Sequence, residues 1–171
     1  SHGKVADHVE SVRAFARDLK NAGGAGLITP DLTPDEAGLW MQVSDEHDLD
    51  RVFLVAPAST DERLLVTTAA CRGWVYATSV MGVTGVRSET SSAAPKLVQR
   101  VRRAAPHLPI GVGLGVSNGA QAAEIGAYAD AVIVGSALVK CLMDNDRTQS
   151  RDLTALRTLT DELAQGVRRA R

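Results

Sequence analysis

The sequence predicts an α/β fold of parallel strands, and three observations predict it. Short runs rich in Val and Ile alternate with longer stretches of helical periodicity. The runs are continuous rather than alternating, as strands buried on both faces require. The connections between them are short. Two runs show the pattern best: Ile110-Gly-Val-Gly-Leu-Gly-Val-Ser117 and Asp130-Ala-Val-Ile-Val-Gly-Ser-Ala137. Each ends in glycine and serine and then breaks into a helical pattern. Glycine lets a ligand approach the backbone, and a helix start offers N–H groups without intrahelical acceptors. Two such strand ends side by side make an anion site, and phosphate is the usual anion.

The elements follow in order. Val5, Val9, Val12, Phe15 and Leu19 share one face of a first helix, which Gly23-Gly24 ends. A strand over 26–30 comes next. Thr33-Pro-Asp-Glu36 has the form of a capping box with proline in the first turn, starting a helix to about His47. A strand over 52–56 precedes a second capping box, Ser59 with Glu62, and a helix to about Ala70. Trp74–Thr78 is the next strand, followed by a glycine-containing loop from Met81 to about Ser92. A helix through Leu97, Val98 and Val101 ends before Pro106. A helix over Ala120–Ala127 separates the two opening strands. A short apolar helix from Ala137 to Met143 follows the second. A polar break at Asp144–Arg151 precedes a last amphipathic helix carrying Leu153, Leu156, Leu159, Leu163 and Val167.

Composition narrows the function. The 171 residues amount to one domain, and a formal net charge of −1 argues against a nucleic-acid binder, whose domains are strongly basic. Cys71 and Cys141 have no metal-ligand spacing and read as reduced thiols. No apolar run is long enough to span a bilayer. Together these predict a cytoplasmic protein without a metal. His8, His47 and His107 are isolated and read as surface residues. Gly113, Gly115 and Gly119 are misplaced for a dinucleotide fingerprint.

One helix and five β–α units fall short of the eight units of a (β/α)8 barrel, and the deficit lies at the amino end. An open doubly wound sheet is the alternative. The short helix behind the last strand favours a partial (β/α)8 TIM barrel with strands equivalent to 4–8, because barrel phosphate sites use such a helix.

The segments Leu27-Ile-Thr-Pro-Asp-Leu32, Phe53-Leu-Val-Ala-Pro-Ala-Ser59, Gly73-Trp-Val-Tyr-Ala-Thr-Ser-Val-Met-Gly-Val-Thr-Gly85, Gly111-Val-Gly-Leu-Gly-Val116 and Val134-Gly-Ser-Ala-Leu-Val-Lys140 resemble the tryptophan synthase alpha chain, actinobacterial type. The resemblance covers roughly residues 13–170, and the string from Tyr76 to Gly85 is its most specific part. It implies a cytoplasmic lyase that splits indole-3-glycerol phosphate into indole and glyceraldehyde 3-phosphate. It also implies a beta-chain partner in an alpha2-beta2 assembly; pyridoxal phosphate belongs to that partner, and the alpha chain itself takes no cofactor. Carried over by position, Gly85, Gly115, Gly135 and Ser136 fall where the family binds phosphate. Tyr76 falls near the catalytic carboxylates, Thr84 on the closing loop, and Leu114 where indole packs. Asp31 matches an acid near the partner interface.

Retro-aldol cleavage needs positioned general acid–base groups. In the family these are a Glu and an Asp on early strands. Nothing in Ser1–Val12 resembles that part of the pattern, so the resemblance places both upstream of residue 1. Asp35 and Glu36 read as helix-start acids rather than replacements. Two readings follow: the phosphate-binding part of a lyase, or a non-catalytic phosphate-binding partial barrel that self-associates through its open sheet edge. Another phosphate-barrel enzyme, an epimerase or isomerase, is a weaker third, against which the Tyr76–Gly85 string argues.

Overall fold

The computed structural model describes residues 2–78, 87–113, 115–147 and 151–170. The chain divides into two compact units: Ser1–Tyr76 with Arg100–Pro109, and Ala77–Gln99 with Ile110–Arg171. Strand and helix alternate except where the strand Leu54–Val55 follows the strand Asp50–Val52 and the helix Thr154–Arg169 follows the helix Ser136–Arg147, and the strand pairings whose register is defined are parallel.

In the first unit, α1 (His2–Asn21) lays Val12, Ala16 and Leu19 against Trp40, Val43 and Leu49. Their spacing of three and four residues is that of one helix face. Phe15, expected on that face, sits at its margin: it is 48% exposed and meets Trp40 edge-on at 6.4 Å. The smaller Ala16 fills the fully buried position instead. Strand β1 (Gly26–Ile28) pairs with β2 (Asp50–Val52), Leu27 opposite Arg51. Asp50 N–H donates to the Ala25 carbonyl at 2.8 Å and Thr29 N–H to that of Val52 at 3.1 Å.

The capping box at Thr33 does not form. Pro34–Glu36 makes a 3-10 turn, and α2 starts afresh at Gly38–Glu46. The Thr33 hydroxyl bonds the Glu36 carboxylate at 3.3 Å, while Glu36 N–H donates to the Thr33 carbonyl at 3.0 Å. That i→i+3 bond tightens the turn. It also leaves Ala37 buried against Phe53 and Ala70.

Phe53 interrupts the next strand, so β3 is Leu54–Val55; α3 (Asp61–Ala70) follows. The helix is capped one residue later than expected. Thr60, not Ser59, accepts from Arg63 N–H at 3.2 Å, while the Ser59 hydroxyl accepts from Ala56 N–H at 3.1 Å. Tyr76 N–H of β4 (Val75–Thr78) donates to the Phe53 carbonyl, and Val75 N–H to that of Pro109.

Arg51, on β2, is 7% exposed. Its Nε donates to the Ala70 carbonyl at 3.0 Å. Its Nη1 reaches the Met41 carbonyl at 3.2 Å, Ser44 Oγ at 3.0 Å and the Asp45 carboxylate at 2.5 Å. One guanidinium thus ties the end of α3 to α2.

Asp48 follows α2 with φ +52°, and its carboxylate accepts from Arg72 and from Lys20. The Arg72 hydrogen bond first, and Lys20 next, hold its pKa below the usual carboxylate value. A depressed folded pKa contributes stability that is complete above the unfolded value of about 4 and is lost as pH falls through the folded value. The urea midpoint of the parent is therefore expected to drop more on acidification from pH about 5 to about 3 than that of Asp48→Asn. Equal slopes would show that the ion pair does not persist in solution.

α4 (Arg87–Ala104) begins five residues before the expected end of the loop and carries Pro95 inside it. It buries Leu97, Val98 and Val101, the apolar positions read from the sequence.

In the second unit, β5 (Ile110–Gly113) and β6 (Ala131–Ile133) pair in parallel, Gly113 opposite Ile133. Ile110 N–H donates to the Asp130 carboxylate at 2.9 Å, and Asp130 N–H returns to the Ile110 carbonyl at 3.0 Å. Helix α5 (Gly119–Gly126) lies against α7 (Thr154–Arg169). A Cβ at Gly166 would stand 2.1 Å from the Gly119 carbonyl oxygen, so the two backbones touch at this crossing. α6 spans Ser136–Arg147, extending the expected helix past Met143.

Candidate functional site

The site is best defined in the second unit, where two strands end together. The β5–β6 register offsets the strands by twenty residues. Continued beyond Gly113 and Ile133, it brings Gly115 and Gly135 to the same end of the ladder. This is the carboxyl end of both parallel strands, where α/β ligand sites sit. Gly115 has φ +71°, a conformation that a side chain would strain. Both glycines are exposed, and a Cβ built on either meets nothing within 4 Å. The space beside both backbones is open.

The helices behind these turns differ. At α5 the chain answers its own donors. Asn118 Oδ1 accepts from Gln121 N–H at 2.9 Å, and Gln121 Oε1 accepts from Ser117 N–H at 2.8 Å. Glu162 of α7 takes Gly119 N–H at 2.8 Å. These amides are committed within the protein. At α6 the Gly135 carbonyl accepts from Leu138 and Val139, which starts the helix. The exposed Ser136 is its first residue. First-turn amides such as those of Ser136 and Ala137 have no intrahelical acceptor, and the helix dipole gives them a positive field. Of the two expected cradles, α6 is the better built to receive an anion.

The remaining predicted residues separate into two groups. Thr84, Gly85 and Leu114 lie outside the described residues. Tyr76 and Asp31 belong to the first unit. Tyr76 is half-buried and stacks on Trp74, ring centroids 6.2 Å apart and 24° between planes. Val75 and Ala77, on either side of Tyr76, are buried, so Tyr76 lies on the opposite face of β4. Asp31 is exposed in the turn after β1. Asp35 pairs with Arg63 at 2.7 Å, and the Glu36 carboxylate accepts from the Thr33 hydroxyl. Among the described residues no cluster of His, Cys, Asp and Glu could hold a metal ion.

Burial raises the Cys71 thiol above its ordinary pKa, against smaller opposing effects of a Phe53 backbone hydrogen bond and Arg51, so it is a poor nucleophile. His47 Nδ1 lies 3.0 Å from the Val43 carbonyl and closes α2. A groove of about 220 Å³ is lined by Asp61, Leu64, Leu65, Arg100, Arg103 and Ala104. It contains none of the predicted site residues. Its Arg100 is engaged by Asp61 and by the carbonyls of Pro57 and Ser59.

Sequence reading missed Glu162 and the positioning part of Asp130. Glu162 acts across 43 residues, and no local pattern announces such a cap. Asp130 stood in the motif, immediately before its β-branched run, and that position was a usable signal.

Comparison with known proteins identifies the family. The family model "Tryptophan synthase alpha chain" matches residues 7–168, reaching further toward the amino end than the motifs did. The tryptophan synthase alpha chain of Mycobacterium intracellulare is 62% identical over 157 residues, covering 92% of this chain and 55% of the relative. That of Acidothermus cellulolyticus is 59% identical over 158 residues, covering 92% and 58%. A crystal structure of tryptophan synthase from M. tuberculosis superposes with TM-score 0.78 at 57% identity, covering 92% of this chain and 56% of that one. The alpha subunit from Legionella pneumophila str. Paris gives TM-score 0.79 at 25% identity, covering 92% and 57%. The chain thus spans just over half the length of the relatives it matches, as expected of part of a (β/α)8 chain. Among the described residues no helix is long and apolar enough to cross a membrane. The chain belongs to the tryptophan synthase alpha chain family.

Proposed function

We propose that this chain supplies the phosphate-binding side of an indole-3-glycerol phosphate lyase site. The observation that carries the reading is the shared strand end. The β5–β6 register sets Gly115 and Gly135 at one end, both open to solvent, with the first turn of α6 at Ser136 beside them. Backbone amides at a helix start recognise a phosphate dianion without any charged side chain. The family pattern assigns Thr84 to the loop closing on the phosphate and Gly85 to the phosphate itself, Leu114 to the indole and Tyr76 to the neighbourhood of the catalytic carboxylates, and these assignments belong to the proposal. The acid and base that break the carbon–carbon bond come from the portion of the relatives' length that this span does not match. In the complete assembly, which is cytoplasmic, the partner is a beta chain, with Asp31 at the contact.

Cleavage needs a proton delivered to the indole carbon and another removed from the glycerol hydroxyl. None of Gly115, Gly135 and Ser136 can do either at neutral pH. The 171-residue chain is therefore expected to bind glycerol 3-phosphate without releasing indole from indole-3-glycerol phosphate. Calorimetry with glycerol 3-phosphate tests the first part, with Gly135→Val as the comparison. A branched side chain in the open space at Gly135 is expected to weaken binding about tenfold or more, the equivalent of one charge-assisted hydrogen bond. Binding unchanged by Gly135→Val would refute the site. Protein-dependent indole release by the purified chain would refute the division of labour.

A further inference from the structure

The turn between β5 and α5 is tied together mostly by its own residues. Ser117 N–H and the Ser117 hydroxyl both donate to Gln121 Oε1, Gln121 N–H donates to Asn118 Oδ1, and Ala122 N–H donates to the Asn118 carbonyl at 3.1 Å. Such bonds fix the shape of the turn, but they travel with it as one piece. Among the described residues, Glu162 supplies the side-chain bond that reaches this turn from another element. Its Oε1 accepts from Gly119 N–H at 2.8 Å, from 43 residues away on α7. The Glu162 stem also lies along Gly119, where a Cβ would stand 3.0 Å from Glu162 Cγ and 2.6 Å from its carbonyl oxygen. Gly115, with its left-handed φ of +71°, opens the same turn.

The bond also has an electrostatic side. A helix start carries a positive field and attracts anions. At α5 that position is already taken by a carboxylate of the chain itself, whereas the first turn of α6 contains no acidic residue. We propose that Glu162 is a positioning residue of the phosphate site. From α7 it holds the turn that begins at Gly115 in place at the end of the β5–β6 ladder. By filling the anion position of α5, it leaves the start of α6 as the phosphate seat. Backbone amides recognise an anion only when they are aimed at it, and such sites tolerate misplacement of about 0.5 Å. This role deepens the phosphate reading and rests on it.

Calorimetry of the 171-residue chain with glycerol 3-phosphate tests the role, at a temperature where every variant is folded. Glu162→Ala is expected to weaken binding about tenfold, the effect of losing one hydrogen bond to a charged group. Glu162→Met keeps the stem against Gly119 without a strong acceptor, and is expected to weaken binding by a similar factor if alanine disturbs the packing. Glu162→Gln keeps an oxygen for Gly119 N–H and is expected to stay within about threefold of the parent. In the free protein, the Gly115 amide resonance is expected to move in Glu162→Met and to return in Glu162→Gln, a signature that lost stability alone does not give. Parent-like binding by Glu162→Met, with Gly135→Val still weakened, would overturn the role and leave the phosphate reading standing. So would an equal loss in the Gln and Met variants, or a Gly115 resonance that no variant moves. A parent that does not bind glycerol 3-phosphate would overturn the phosphate reading and this role together.

Discussion

Gly166→Ala is expected to destabilise the second unit by about 3 kcal/mol, even though the change improves helix propensity. Alanine is favoured over glycine within a helix by about 1 kcal/mol. Against that gain stands a Cβ placed 2.1 Å from the Gly119 carbonyl oxygen and 2.9 Å from its carbon and Cα. These are backbone atoms, which cannot rotate aside as a side chain would. The helices must separate, and separation also withdraws Glu162 from Gly119 N–H. Denaturant unfolding of the purified variant reads the effect, with Gln165→Ala on the exposed side of α7 as a control expected to stay within about 0.5 kcal/mol. A stabilised Gly166→Ala protein would show that α5 and α7 do not cross this closely in solution.

Arg51→Ala is expected to cost about 3 kcal/mol in the first unit. The guanidinium is buried while its Asp45 partner remains 62% exposed, so most of the loss comes from hydrogen bonds rather than from the ion pair. Truncation leaves the Ala70 and Met41 carbonyls and the Ser44 hydroxyl without this donor, and it opens a cavity between α2 and α3. Arg51→Met keeps the stem's volume and isolates the polar part. Arg51→Lys keeps the charge, but one ammonium cannot replace a planar fork that serves carbonyls on two helices. The expected order of stability is parent, then Lys and Met, then Ala, measured by urea unfolding. A Met variant as stable as the parent would show that packing alone accounts for this arginine.

The alternation of elements was legible because buried parallel strands leave continuous apolar runs, and because helix faces repeat every three to four residues. All five expected strands appear, the second of them broken in two at Phe53. Misreadings arose where two local patterns competed. Thr33 and Ser59 both had capping-box partners. In one case a 3-10 turn took the partner, and in the other the cap moved to Thr60. The polar stretch before Leu97 read as loop because serine and threonine are weak helix formers, yet α4 already runs through it. Phe15 looked like core by spacing, but its helix position lies at the margin of the packed face. The strand-end glycines announced the candidate site through their order in the chain. The longer-range ties were silent, because the Glu162 cap on Gly119 and the Arg51 fork between α2 and α3 exist only after distant segments meet.

The pair of bonds between Ile110 and Asp130 acts at the end of the β5–β6 ladder opposite the glycine turns. It nonetheless sets the alignment at the far end, because a parallel ladder propagates its register rigidly along four residues, roughly 13 Å. A slip of one residue at Asp130 would invert every side chain of β6 and carry Gly135 out of step with Gly115. The alignment of the two glycine turns on which the proposed phosphate site depends is therefore set at the opposite end of the ladder, by the bonds between Asp130 and Ile110.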